Sequence, residues 1–247
     1  MKKSMKAGAL LVAGVFALSG CAGADSADVA DSAPESGRLE SAAGTPAPSP
    51  SLAVGQDQYT ADELEAALTA VRDAEGTTGQ IINDATLRPG LAQVESTLED
   101  LTITPEVCSD LASDNIAEKI DSANVAIMQF NATDTLTVFS YDDASFIDRQ
   151  VETNAQQMVD CTEFQMEVSG QIISAAAEEV SASTDAVTTQ AYRVTVAAAG
   201  QEATTVQVSA FSGTTNITAS MTNPADAQGA LATAEDLINA LLAELKK

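Results

Sequence analysis

Cysteine carries most of the chemistry this sequence can offer. The chain has Cys21, Cys108 and Cys161, and it has no histidine. Without histidine there is no Ser-His or Cys-His nucleophile pair, no imidazole general base and no His-ligated zinc. After residue 20 there is no Gly-x-x-x-x-Gly-Lys, Gly-x-Gly-x-x-Gly, Gly-x-Ser-x-Gly or Ser-x-x-Lys, and no Asp-x-Asp-x-Asp-Gly calcium loop. Asp142-Asp143 with Asp148 come nearest to paired acid and base carboxylates, but Asp142 and Asp143 sit where they would cap a following helix. Glu178-Glu179 lies in an Ala/Ser-rich stretch and reads as solvated. Arg193 could orient an anionic ligand; a cross-strand ion pair is the simpler use. Met128, Met158, Met166 and Met221 could line a pocket together, although ordinary core packing is the better account of them. The residues thus nominate no catalytic, cofactor-binding or metal-binding set, and a non-enzymatic role is expected.

Cys21 closes a segment of a different kind. Lys2, Lys3 and Lys6 precede an apolar run from Ala7 to Leu18, and Leu18-Ser19-Gly20-Cys21 follows. The run is about 18 Å long as a helix, too short for a bilayer core of about 30 Å. A basic start, a short apolar run and small residues mark a signal peptide, here ending in a lipobox. The segment resembles bacterial lipoprotein precursors. That resemblance implies that residues 1–20 are removed and that the Cys21 thiol carries a diacylglyceryl group, with further acylation such as palmitate. Two acyl chains hold a protein stably where one does not. The expectation is a lipid-anchored protein on the extracytoplasmic face of the cell membrane, with the membrane as partner through Cys21. In that oxidising compartment the remaining even pair, Cys108 and Cys161, is expected to form a disulfide. Its loop of about 50 residues would contribute roughly 4 kcal/mol. The alternative is two reduced thiols, one or both reactive.

Charge narrows the partners. The chain carries 11 basic and 36 acidic residues, and loss of the three leader lysines makes the balance more negative still. A surface of that sign does not bind nucleic acid or anionic headgroups. The chain also has no tryptophan, which disfavours stacking platforms for sugars or single strands.

The elements that position these residues follow from periodicity. Residues 21–57, with Gly44-Thr45-Pro46-Ala47-Pro48-Ser49-Pro50, read as a disordered tether, and a single domain is expected over 58–247. Thr60 and Glu63 form a capping box for a helix over 61–74, with Leu64, Leu68 and Val71 on one face. Thr104-Pro105 predicts a second helix with proline in its first turn and Cys108, Leu111, Ala112, Ile116 and Ile120 on one face. Val125–Phe130 and Leu136–Tyr141 flank a turn at 131–134. A third helix is expected over 143–160, with Ile147, Val151, Ala155 and Met158 as its stripe and Cys161 at its end. Phe164, Met166, Val168, Gly170 and Ile172 then alternate with polar residues as one strand. Tyr192–Ala198, Val206–Ala210 and Ile217–Met221 continue the meander, Ser212-Gly213 turns it, and Asn223-Pro224 stops it. A last helix carries Leu231, Ala234, Ile238, Leu241 and Leu245. The fold expected is α+β: an antiparallel sheet, a meander of about four strands plus a hairpin, packed with about four helices.

This element order, together with Thr104-Pro105-Glu106-Val107-Cys108 and Met158-Val159-Asp160-Cys161-Thr162-Glu163-Phe164, resembles the extracellular sensor domain of PknH-type receptor kinases and related actinobacterial surface lipoproteins. The resemblance implies a sheet packed with helices around a cleft, a small-molecule ligand and a Cys108–Cys161 bridge. The function expected is a non-catalytic, ligand-binding or sensor-like domain at the cell surface, its partner a small-molecule or lipid ligand. Two alternatives are a carrier of apolar lipids between membrane and wall, similar to LppX/LprG-type lipoproteins, and a structural or adhesive interaction module.

Overall fold

The structure, a computed structural model, describes residues 53–90, 101–113, 122–168 and 170–247. The expectations for the leader, for Cys21, for the tether as far as residue 52 and for the side chains of Leu111, Ala112, Ile116 and Ile120 lie outside what is described. In chain order the elements are α1 (Ala61–Glu75), β1 (Gln80–Ile82), α2 (84–90), β2 (Thr102–Thr104), α3 (Glu106–Ser113), β3 (Asn124–Gln129), β4 (Thr135–Ser140), α4 (Ala144–Asp160), β5 (Glu163–Val168), β6 (Gln171–Glu179), β7 (Thr188–Ala198), β8 (Gln201–Ser212), β9 (Thr215–Thr222) and α5 (Ala227–Leu245).

All nine strands form one antiparallel sheet in the order β1-β3-β4-β9-β8-β7-β6-β5-β2. The α+β class and the hairpin agree with expectation, but the meander has five strands and two short strands extend the edges. β1 and β2 are three residues each, too short to show a period. The fifth meander strand was hidden by a turn. Val168 pairs with Gln171, and Gly170 has φ 78°, so the expected strand through Ile172 is the hairpin β5–β6. The turn resets the alternation: Ile173, opposite Met166, is buried, while Ile172 is 60% exposed. The second predicted helix is also shortened at its start. Thr104 ends β2, paired with Gln165, and the helix begins at Glu106.

The two faces of the sheet are covered at different ends. On the first face Ala126, Leu136, Val138, Val208, Ile217 and Ala219 pack against Leu64 and Leu68 of α1 and Ile238 and Leu241 of α5. The capping box at Thr60 starts α1, its Oγ1 accepting from the Glu63 amide, and Gly76 at φ 63° ends it. Past α5 this face carries the exposed residues Ser174, Ala176 and Glu178 of β6. There Glu178 and Arg193 stand directly opposite on β6 and β7 and form an ion pair, the use expected for Arg193. On the second face α4 lies over β6, β8 and β9. Asp143 caps α4 by accepting from the Ser145 amide, whose hydrogen bonds hold its carboxyl below the usual carboxylate range. Phe146 and Ile147 are buried against Tyr141 and Phe211, but Ala155 is exposed: Asn154, one position earlier, takes the place facing the sheet and bonds Gln190 of β7.

The chain enters the fold through a strap. Val54 is buried in the first-face core, four residues before the expected start of the domain. Gly55 lies against the β8–β9 turn, where its carbonyl accepts from the Thr214 amide at 2.9 Å. Tyr59 Oη donates to the Leu245 carbonyl at 2.8 Å, tying the strap to the end of α5.

Candidate functional site

Between the second half of α4 and the sheet lies a cavity of about 60 Å³. Its floor is the second face of β5–β8: Phe164, Ala177, Tyr192, Val194 and Gln207. Register explains the set. Ala177 pairs with Val194, and Tyr192 pairs with Gln207, so the four side chains share one face on adjacent strands. Asn154, Gln157 and Met158 of α4 form one wall; positions 154 and 157 are three apart and project on the same side of the helix. Ile103 of β2 and the Cys108–Cys161 disulfide form the other. The bridge joins α3 to the end of α4, with Cα atoms 5.6 Å apart and both cysteines buried.

The cavity has an apolar body and uncharged polar corners. Asn154 Nδ2 donates to Gln190 Oε1 at 3.0 Å, and Gln190 Nε2 donates to the Val151 carbonyl at 3.0 Å. These bonds fix Asn154, whose Oδ1 has no partner among the described residues. Gln207 Nε2 makes one long bond of 3.4 Å to Ser209 Oγ. Ser209 continues to Thr218 at 3.0 Å, Thr218 donates to Asn216 Oδ1 at 3.1 Å, and Asn216 Nδ2 donates to Gln150 Oε1 at 3.1 Å. A polar chain on the sheet therefore runs from the cavity back to α4. Ser220, directly across from Gln207, is 2% exposed and its hydroxyl has no hydrogen-bond partner. Tyr192 is the titratable residue of the lining. Partial burial, with Glu179 across the strand pair adding negative charge, pushes its phenol up to about 12. At neutral pH it is an O–H donor and not an anion.

The residues singled out from sequence are distributed as follows. Cys108 and Cys161 are bonded to each other and line the cavity. Asp143 is a helix cap, Asp142 is exposed, and Glu178 is taken by Arg193 on the opposite face of the sheet. The four methionines do not meet: Met128 and Met221 lie in the first-face core, Met166 beside the bridge, and Met158 in the cavity wall. The amides of Asn154, Gln157 and Gln207 were not anticipated. Their spacing was visible, but which alternate face of β8 met α4 was not.

No protein-family model matches the chain, and no curated protein matches it. Among solved structures the chain is similar to the crystal structure of the extracellular domain of PknH from Mycobacterium tuberculosis. The TM-score is 0.44 at 12% identity, over 75% of this chain and 99% of that one. No residue role follows from a likeness at that level.

Proposed function

We propose that this chain is an extracytoplasmic, membrane-anchored binding domain whose non-catalytic cavity takes a small ligand. The cavity carries the reading. It is built from seven elements, β2, α3, α4 and β5 to β8, it is walled by a disulfide suited to an oxidising compartment, and it presents side-chain polar groups that have no partner among the described residues: Asn154 Oδ1, the Gln157 side-chain amide and the Tyr192 hydroxyl. Its lining holds amides, a phenol and apolar groups, a set fitted to recognition and not to bond making or breaking. At about 60 Å³ it is well under half the roughly 150 Å³ that accommodates benzene. This favours a small ligand, or one small group of a ligand, over the acyl chain that a lipid carrier must enclose.

The anchor in this proposal is Cys21, lipidated after removal of residues 1–20. The test is native mass spectrometry of the full chain recovered from an exporting host. A diacylglyceryl-bearing N-terminus and a retained or titratable small molecule are the expected results. An unmodified Cys21 overturns the anchor, and an empty domain that no cell-envelope extract loads overturns the binding role.

A further inference from the structure

The cavity also states what kind of group it takes. This step rests on the binding role proposed above and names the ligand chemistry. Three observations constrain it. First, among the described residues the lining has no charged side chain, and the chain as a whole is strongly acidic, with 11 basic against 36 acidic residues. Glu179, opposite Tyr192, adds a carboxylate close to the phenol. A carboxylate or phosphate buried here would lose its hydration with no cation to replace it. Second, the polar groups of the lining without a partner among the described residues are of both kinds: the Tyr192 hydroxyl and Gln157 Nε2 donate, while Asn154 Oδ1 and Gln157 Oε1 accept. A ligand with only acceptors or only donors would pair with half of them. Third, the remaining wall is apolar, made by Ala177, Val194, Met158 and the disulfide, and the space is small.

We infer that the cavity seats an acetamido group, the N-acetyl substituent of an amino sugar or of an acylated amine. The carbonyl accepts from Tyr192 and Gln157, the N–H donates to an amide oxygen of Asn154 or Gln157, and the methyl rests on Ala177 and Val194. The methyl and carbonyl fill a space of about 60 Å³ and the N–H stands at its opening. A free amine in place of the amide would lack both the carbonyl and the methyl that fill the space.

The test uses the full exported chain carrying Cys21→Ser, which leaves every described residue unchanged. Side-chain amide and methyl NMR signals are followed during titration with N-acetylglucosamine, glucosamine, glucose and N-methylacetamide. N-acetylglucosamine and N-methylacetamide are expected to shift the signals of Gln157, Asn154, Ala177 and Val194. Glucosamine and glucose are expected to leave them in place. Tyr192→Phe and Gln157→Leu are each expected to weaken the acetamide response three- to tenfold while the melting temperature holds. An equal response to glucose or glucosamine overturns the inference. A response of the same residues to cell-envelope extract, with none to either acetamide, also overturns it but leaves the binding role standing. No response to either acetamide or to extract overturns both.

Discussion

Removing the Cys108–Cys161 bridge should cost the domain about 4 kcal/mol. The bridge closes a loop of 53 residues, and the chain-entropy relation for that length yields about 4 kcal/mol at 25 °C. For a domain of this size each kcal/mol moves the melting temperature by about 2–4 °C, so Cys108→Ala/Cys161→Ala should melt about 8–16 °C lower. The loss has a local part as well. β2 and α3 reach the rest of the fold mainly through β5, through α4 and through the bridge itself. Amide exchange at Ile103, which pairs with Met166, should therefore accelerate more than exchange at Ile217 in the middle of the sheet. Urea unfolding followed by circular dichroism measures the first quantity, with a steeper slope expected because the uncrosslinked chain exposes more surface. Intact mass confirms that the parent protein is two hydrogens lighter than its reduced form. A stability loss below about 1 kcal/mol with unchanged Ile103 protection would refute the reasoning.

Three further outcomes follow from the same geometry. Ala199 holds φ 51° in the β7–β8 turn beside Gly200, so Ala199→Gly should stabilise the fold by about 1 kcal/mol in urea unfolding. Gly55→Ala should destabilise by more than about 1 kcal/mol, because a Cβ there would lie 2.1 Å from the Ser212 carbonyl oxygen on a backbone at φ 73°. Ultraviolet titration should find a phenol near 12 that Tyr192→Phe removes. Since the folded phenol titrates above its unfolded value of about 10, its contribution to stability is complete below pH 10. It should be lost as pH rises towards 12, with urea midpoints at pH 9 and 11.5 as the readout.

Much of the architecture was legible along the chain because it repeats with local period. The Thr60 capping box, the apolar stripe of α5 and the Asn131–Asp134 turn each depend on residues within a few positions of one another. The β5–β6 turn was missed for a definite reason. Apolar residues at 164, 166, 168 and 172 keep an even spacing across it, so the alternation looks continuous although Gly170 reverses the chain. Val54 was missed because the short run Leu52-Ala53-Val54 beside an Ala/Ser/Pro stretch shows no period; Gly55 meeting the β8–β9 turn explains why Val54 is buried.

The sequence by itself determined the class of elements, the absence of histidine chemistry, the acidic balance and the availability of Cys108 and Cys161 to each other. Tertiary structure alone decided the cavity. Asn154 and Gln157 come from a helix, and Tyr192 and Gln207 from two strands; they meet because β7 and β8 pair in one register and α4 lies over their second face. A one-residue slip of that register would put Tyr192 and Gln207 on opposite faces of the sheet. Long-range register is set by the balance of packing on both faces of the sheet, and no stretch of sequence short enough to read locally contains it.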